Sequence, residues 1–182
     1  FSIIFVSTSI LSSCASKKAT SKAVGDVEIK IPCSNFHSDK KFFRASQSST
    51  SSNLASSREK ALLMARQRLS TIIKSKMKSV TQRYAGDREI GGSSEFNEKF
   101  ENMTRDVVNQ TLNDTRVVCE KTMQKSDGTY NTFIAVEIDK ETILSGVNNG
   151  ISNNKKLRQD YDVMKFKAVF DEEMSKMEDG QN

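Results

Sequence analysis

The sequence predicts an α+β fold: a small antiparallel sheet packed on a long helix and a second helix, with a C-terminal helix. Three observations carry this. First, residues 56–84 contain no Gly or Pro, and Ala61, Leu62, Ala65, Leu69, Ile72, Ile73, Val80 and Tyr84 recur at steps of three and four or their sum. That is the period of a helix with one buried stripe. Second, Asp127-Gly128 separates two β-rich runs, 115–125 and 129–138. Gly takes positive φ at little cost, so Asp-Gly there signals a hairpin. Third, Phe96, Phe100, Met103 and Val107 fall at steps of four, three and four, a second amphipathic helix. The chain has 182 residues, 36% hydrophobic and 28% charged, enough for one domain with a useful core.

Taken in order, residues 1–11 are apolar with small polar residues and no charge. Such a run is too short to span a hydrocarbon core of roughly 30 Å. It fits the apolar part of a secretory signal, and with no initiator Met or basic flank the sequence reads as starting inside its leader. Leu11-Ser12-Ser13-Cys14 then resembles the bacterial lipobox, in which a signal of residues 1–13 is removed and Cys14 carries the lipid. Several acyl chains on one residue anchor durably, at about 0.8 kcal/mol per buried methylene. Residues 14–25 read as the lipidated cysteine and its tether. Eleven residues reach about 35 Å extended, and Lys17, Lys18 and Lys22 suit anionic headgroups. No acidic residue follows Cys14 closely, which by resemblance to sorting signals favours the outer membrane, facing the periplasm.

Residues 27–31 alternate apolar and charged, a strand that Pro32 ends. Residues 34–41 form a polar loop holding the single histidine, His37, read as a solvated surface group. Residues 42–45 are a short strand candidate, and the Ser-rich run 46–57 reads as a loop. Ser56 or Ser57 is the expected cap of the long helix, which at 1.5 Å per residue is roughly 40 Å long. Lys76 and Arg83 fall inside its apolar stripe, so a bend or a partner charge is expected there. After the hairpin, Asp139 can cap a short helix. Residues 147–154 are Asn-rich with Gly150 and read as a linker, and 155–177 as a last helix bearing Phe166, Val169, Phe170, Met174 and Met177 on one side. The expected division is therefore 1–13 signal, 14–25 tether, 26–146 α+β domain, and 147–182 linker and C-terminal helix.

The net charge of +5 is modest. The long helix carries eight basic residues, Arg58, Lys60, Arg66, Arg68, Lys74, Lys76, Lys78 and Arg83, and one acid, Glu59. Alone that suggests an anionic ligand. Residues 85–114, however, hold seven acids against three bases. The simplest expectation is an intramolecular match of the basic helix with the acidic one, not a nucleic-acid face. Binding of an anionic ligand through 56–84 stands as the alternative. With Cys14 lipidated, Cys33 and Cys119 remain. In an oxidising compartment they can pair, or both can stay buried and reduced. No G-x-S-x-G, Walker loop, H-E-x-x-H or Cys-x-x-Cys is present. We therefore expect no catalytic residues, no metal ligands and no cofactor.

The order F-F-R-A at 42–45, A-L-L-M-A-R-Q-R-L at 61–69, V-V-N-Q-T-L at 107–112 and D-G-T-Y-N-T-F-I-A-V-E-I at 127–138 resembles the LPP-twenty lipoprotein family, including its Bacteroidetes-type versions. The likeness covers about residues 27–138. A similar domain occurs at the amino end of a flagellar outer-membrane ring component. The resemblance implies an α+β domain with a curved antiparallel sheet on helices, and no active site. It leads to the expectation of a non-enzymatic, palmitate-bearing envelope protein. Its partners would be the membrane, through the lipid, and another envelope protein or a second copy, through the C-terminal helix.

Overall fold

A ten-residue strand, Phe42–Ser51 (β1), turns at residues 52–53 into a 33-residue helix, Leu54–Gly86 (α1). There follow a helix Ser94–Thr111 (α2), a single 3-10 turn at Leu112–Asp114, the strands Arg116–Gln124 (β2) and Tyr130–Asp139 (β3), and the helices Lys140–Ser152 (α3), Lys155–Gln159 (α4) and Val163–Asp179 (α5). The structure is a computed structural model that describes residues 29–86, 94–159 and 161–179. The leader, Cys14 and the tether lie outside the described residues, as do Val27 and Glu28.

The sheet is antiparallel with β3 in the centre, in the order β1-β3-β2. The β2–β3 hairpin turns at Asp127-Gly128. Gly128 has φ 81°, the Gly128 amide donates to the Lys125 carbonyl (3.0 Å), and the Lys125 amide donates to the Thr129 carbonyl (2.8 Å). On β3 the even-numbered residues Thr132, Ile134, Val136 and Ile138 are buried and face α1 with Phe43 and Ala45 of β1. The odd-numbered residues face the other side.

Five expectations need correction. Residues 29–31 are not a strand: Ile29 and Ile31 are 79% and 55% exposed, with no sheet partner. The alternation there matches a strand pattern, but the segment pairs with neither edge strand: it runs into the turn at 32–35, where Cys33 is bonded to Cys119. Conversely, the Ser-rich run is not a loop. Ser46 to Ser51 pair in register with Ala135 to Tyr130. Backbone pairing along the whole of β3 overrides the weak strand preference of serine. The helix begins at Leu54, and its cap is Asn53, whose Oδ1 accepts from the Ser56 amide (3.0 Å). Ser57 is instead buried against the sheet. Its hydroxyl donates to the Ser49 carbonyl (2.8 Å) and lies 2.8 Å from Thr132 Oγ1, itself 3.0 Å from Thr122 Oγ1.

Residues 147–152 are not linker but the second half of α3, which Asp139 caps through the Glu141 amide (2.9 Å). The glycines are there for packing. A Cβ on Gly146 would lie 2.7 Å from Val107 Cγ1, and one on Gly150 would lie 2.7 Å from Met103 Sδ. Two missing side chains let α2 and α3 close together, so composition alone misreads them. Finally, the last helix is two. Asn154 accepts from the Lys156 and Leu157 amides at the start of α4, and Asp162 accepts from the Lys165 amide at the start of α5.

The last turns of α1 enter a cluster of rings. Tyr84 lies 5.7 Å from Phe100, 5.8 Å from Tyr161 and 5.4 Å from Phe166, and Phe96 stacks on Phe100 at 5.7 Å. Edge and tilted contacts of this kind add about 0.5–1.5 kcal/mol per pair beyond area burial. The Tyr84 hydroxyl accepts from the Asp162 amide (2.8 Å), which fixes the break between α4 and α5. Phe166, Val169, Phe170 and Met174 of α5 are all buried in the shared core. The boundary drawn at 146 therefore cuts through one continuous core.

Candidate functional site

Residues 29–41 bring the chain onto the side of the sheet opposite α1, and a charged network receives them. β1 presents Arg44, β3 presents Glu137 and β2 presents Arg116, adjacent across the register Arg44↔Glu137↔Arg116. Glu137 is buried. Its Oε2 accepts from Arg44 Nε (2.6 Å), and its Oε1 accepts from Arg116 Nε (2.7 Å) and lies 2.5 Å from Arg116 Nη2. Arg44 also donates to the His37 carbonyl (3.1 Å) and to Asp39. Ser38 exchanges two bonds with the Arg44 backbone, accepting from its amide (2.9 Å) and donating to its carbonyl (3.2 Å). The Phe42 ring lies under the Lys41, Arg44 and Arg116 cations at 5.2, 4.9 and 5.0 Å.

Burial pushes the Asp39 carboxyl up, but the Phe42 and Lys41 amides and the Arg44 guanidinium together hold it below its ordinary value. Both oxygens of Glu137 are occupied by guanidinium donors, so this carboxylate is not poised as a general base. A buried carboxylate saturated by two arginines fixes geometry. Through the Ser38, His37 and Asp39 contacts to Arg44, the cluster roots residues 29–41 on the sheet.

A disulfide completes that root. Cys33 and Cys119 are joined, with their Cα atoms 5.7 Å apart. Cys33 sits in a turn at 32–35 with φ 60°, and Cys119 follows a register shift between Val117 and Cys119 opposite Ala135. The bulge turns Cys119 onto the same side of the sheet as Glu137. The bond thus staples the start of the fold to the outer edge strand. Bridging a separation of 86 residues corresponds to about 4–5 kcal/mol in the chain-entropy account, as an upper value. His37 is exposed in the arm, and only its carbonyl is engaged by Arg44.

The basic helix resolves into two sets. Arg58 makes a two-pronged pair with Glu120 of β2 (2.5 and 3.0 Å), and Arg66 donates to Thr115 (3.1 Å). Arg83, expected to need a partner charge, meets Glu173 at 3.0 Å and Glu172 at 2.7 Å, both on α5. The match with the acidic helix α2 is therefore corrected: among the described residues, the acids that pair with α1 come from β2 and α5. The helix runs beside α2, but its charges there do not pair. Lys60, Arg68, Lys74 and Lys78 are exposed and have no acid within ion-pair distance among the described residues. Sequence reasoning missed Met77, Thr81 and Ser57 as buried positions of α1. Met77 lies four residues after Ile73, Thr81 four after Met77, and Ser57 four before Ala61, so the spacing was visible, but two of the three are polar.

The C-terminal helix, expected to offer a partner surface, turns its apolar face inward. Among its described side chains, Val163 and Met164, 50% and 76% exposed, are the large apolar ones it leaves outside; the Met177 side chain lies outside the described residues. Among the described residues no helix is long and apolar enough to cross a membrane, and no three metal-ligating side chains converge. No family model, no curated protein and no solved structure matches this chain.

Proposed function

We propose that this chain is a lipid-anchored cell-envelope protein of the LPP-twenty type, acylated at Cys14 and held on the periplasmic side of the outer membrane. Its role is structural or interactive, not enzymatic. The observation that carries the reading is the order of residues 1–14: an uncharged apolar run, then Leu11-Ser12-Ser13-Cys14. Two structural features support it. The Cys33–Cys119 disulfide suits an exported protein, because such bonds persist in oxidising compartments. The rigid root at the Glu137 cluster gives a tether a firm point of attachment. Eighteen residues separate Cys14 from Cys33, so the fold stays within roughly 60 Å of the bilayer. The partner is another envelope protein or a second copy, met by the outer face of α5 around Met164.

The test is metabolic labelling with a fatty acid, followed by membrane fractionation, on the full chain and on Cys14→Ala. Label and membrane association in the parent, with both lost in the variant, are expected. Equal label in the two proteins refutes the reading.

A further inference from the structure

α1 and α2 run side by side, and each lays one stripe along their seam at the same spacing. α1 contributes Lys74, Met77, Lys78 and Thr81, and α2 contributes Glu101, Thr104, Arg105 and Val108. In both stripes the first and third positions are charged, and the second and fourth are inward-facing. The seam encloses a groove of about 160 Å³, open on one side. Roughly 10–15 Å³ admits one water, so this is room for several waters or a short chain.

Its floor is unusual for a helix seam. Thr81 and Thr104 are 5% and 4% exposed, and neither hydroxyl oxygen has a hydrogen-bond partner among the described residues. A buried threonine on a helix ordinarily bonds a carbonyl of the preceding turn, as Thr111 does here to Val107 (2.9 Å). Leaving a buried hydroxyl unmatched is costly, and a valine of the same shape would avoid the cost. Two such hydroxyls on facing helices, beside Met77 and Val108, are the lining of a small site: apolar walls with a few convergent polar groups.

The rim decides the ligand's charge. Lys74 and Lys78 are exposed with no acid partner among the described residues, while Arg105 is shared with Glu101 at 3.5 Å. Three cations against one acid leave the mouth positive, in a protein whose net charge is +5. The geometry points to a binding site for a small amphiphilic anion, a carboxylate or phosphate carrying a short alkyl chain. The chain lies against Met77 and Val108, Thr81 and Thr104 hydrogen-bond its polar oxygens, and Lys74, Lys78 and Arg105 hold the charge. The anionic-ligand reading of the basic helix thereby narrows to one groove. Nothing in it depends on the lipid at Cys14.

Calorimetric titration of the full chain with sodium octanoate tests this. Octyl phosphate serves as the second anion and octylammonium as the cationic control. Saturable binding of an anion is expected, with octylammonium silent, and the two anions compared show which headgroup the mouth prefers. Lys74→Gln with Lys78→Gln should weaken octanoate by about tenfold, two rim charges together. Thr81→Val with Thr104→Val should weaken it while raising the melting temperature, because a valine leaves no hydroxyl unmatched. Melting curves verify that every variant is folded. No saturable binding of either anion overturns the site. So does equal binding of octylammonium, or octanoate affinity unchanged in the Thr→Val pair.

Discussion

The two ends of α1 are built on different principles. At its start the helix shows the sheet small residues, Ser57, Ala61 and Ala65, all fully buried. Small side chains let a helix lie close on a sheet, and a hydroxyl chain through Ser57 and Thr132 fixes the register. At its finish the helix shows Met77, Val80 and Tyr84 to other helices, and rings fill the space. The sheet end is held by backbone pairing, a saturated carboxylate and a covalent staple. The helical end is held by aromatic packing and by surface ion pairs to α5. One end resists deformation and receives the arm; the other depends on side-chain fit and is the end that conditions can loosen.

That contrast can be broken deliberately. The largest effect is expected at the sheet end from Cys33→Ser with Cys119→Ser. The chain-entropy value of about 4–5 kcal/mol is its ceiling, read from urea unfolding of the parent and the variant. A loss under about 1 kcal/mol would mean that the charge network alone holds the arm. Next is Tyr84→Ala at the helical end, at about 3–5 kcal/mol for a large aromatic removed from a packed core. It should also expose Phe166 and Phe100 to solvent, seen as altered ring resonances, while β-sheet amides keep their hydrogen-exchange protection. Gly150→Val should cost about 1–3 kcal/mol by forcing Met103 and α2 away, the cost of overpacking.

The smallest effect sharpens the contrast by pH. The Arg83 guanidinium holds the Glu172 carboxyl below its ordinary value, and Lys176, against some burial, does the same for Glu173 with help from Arg83. A carboxyl depressed in the folded state stabilises fully above its ordinary value and loses that contribution as pH falls through the depressed one. The docking of α5 on α1 should therefore weaken below about pH 4. In Glu172→Gln with Glu173→Gln, the part of the acid-side slope due to this pair should vanish from the melting temperature. Asp39 titrates in the same direction at the sheet end, so the double variant, not the parent alone, isolates α5.

Much of this architecture was legible. The 3.6-residue stripe on α1, the Asp-Gly turn and the Asp139 cap are local signals, and local signals survive folding. What escaped was decided by distant partners. Ser46 to Ser51 become a strand only because β3 offers ten residues of pairing, and no serine records that. Gly150 looks like linker punctuation, yet it is a contact point for Met103 and Val107, as Gly146 is for Val107. The acids that meet α1 lie on β2 and on α5, far along the chain, so nearness in sequence suggested the wrong helix. The groove is the extreme case. Thr81 and Thr104 are unremarkable in sequence, and only the orientation of two helices leaves their hydroxyls without partners.

The reading of this protein as a membrane-held envelope component is tested most directly by intact mass spectrometry of the chain extracted from membranes. The expected mass is that of a polypeptide beginning at Cys14, bearing acyl chains, and lighter by two hydrogens at Cys33 and Cys119 than its reduced form. A species that retains residues 1–13, or that begins at Cys14 without acylation, contradicts the account.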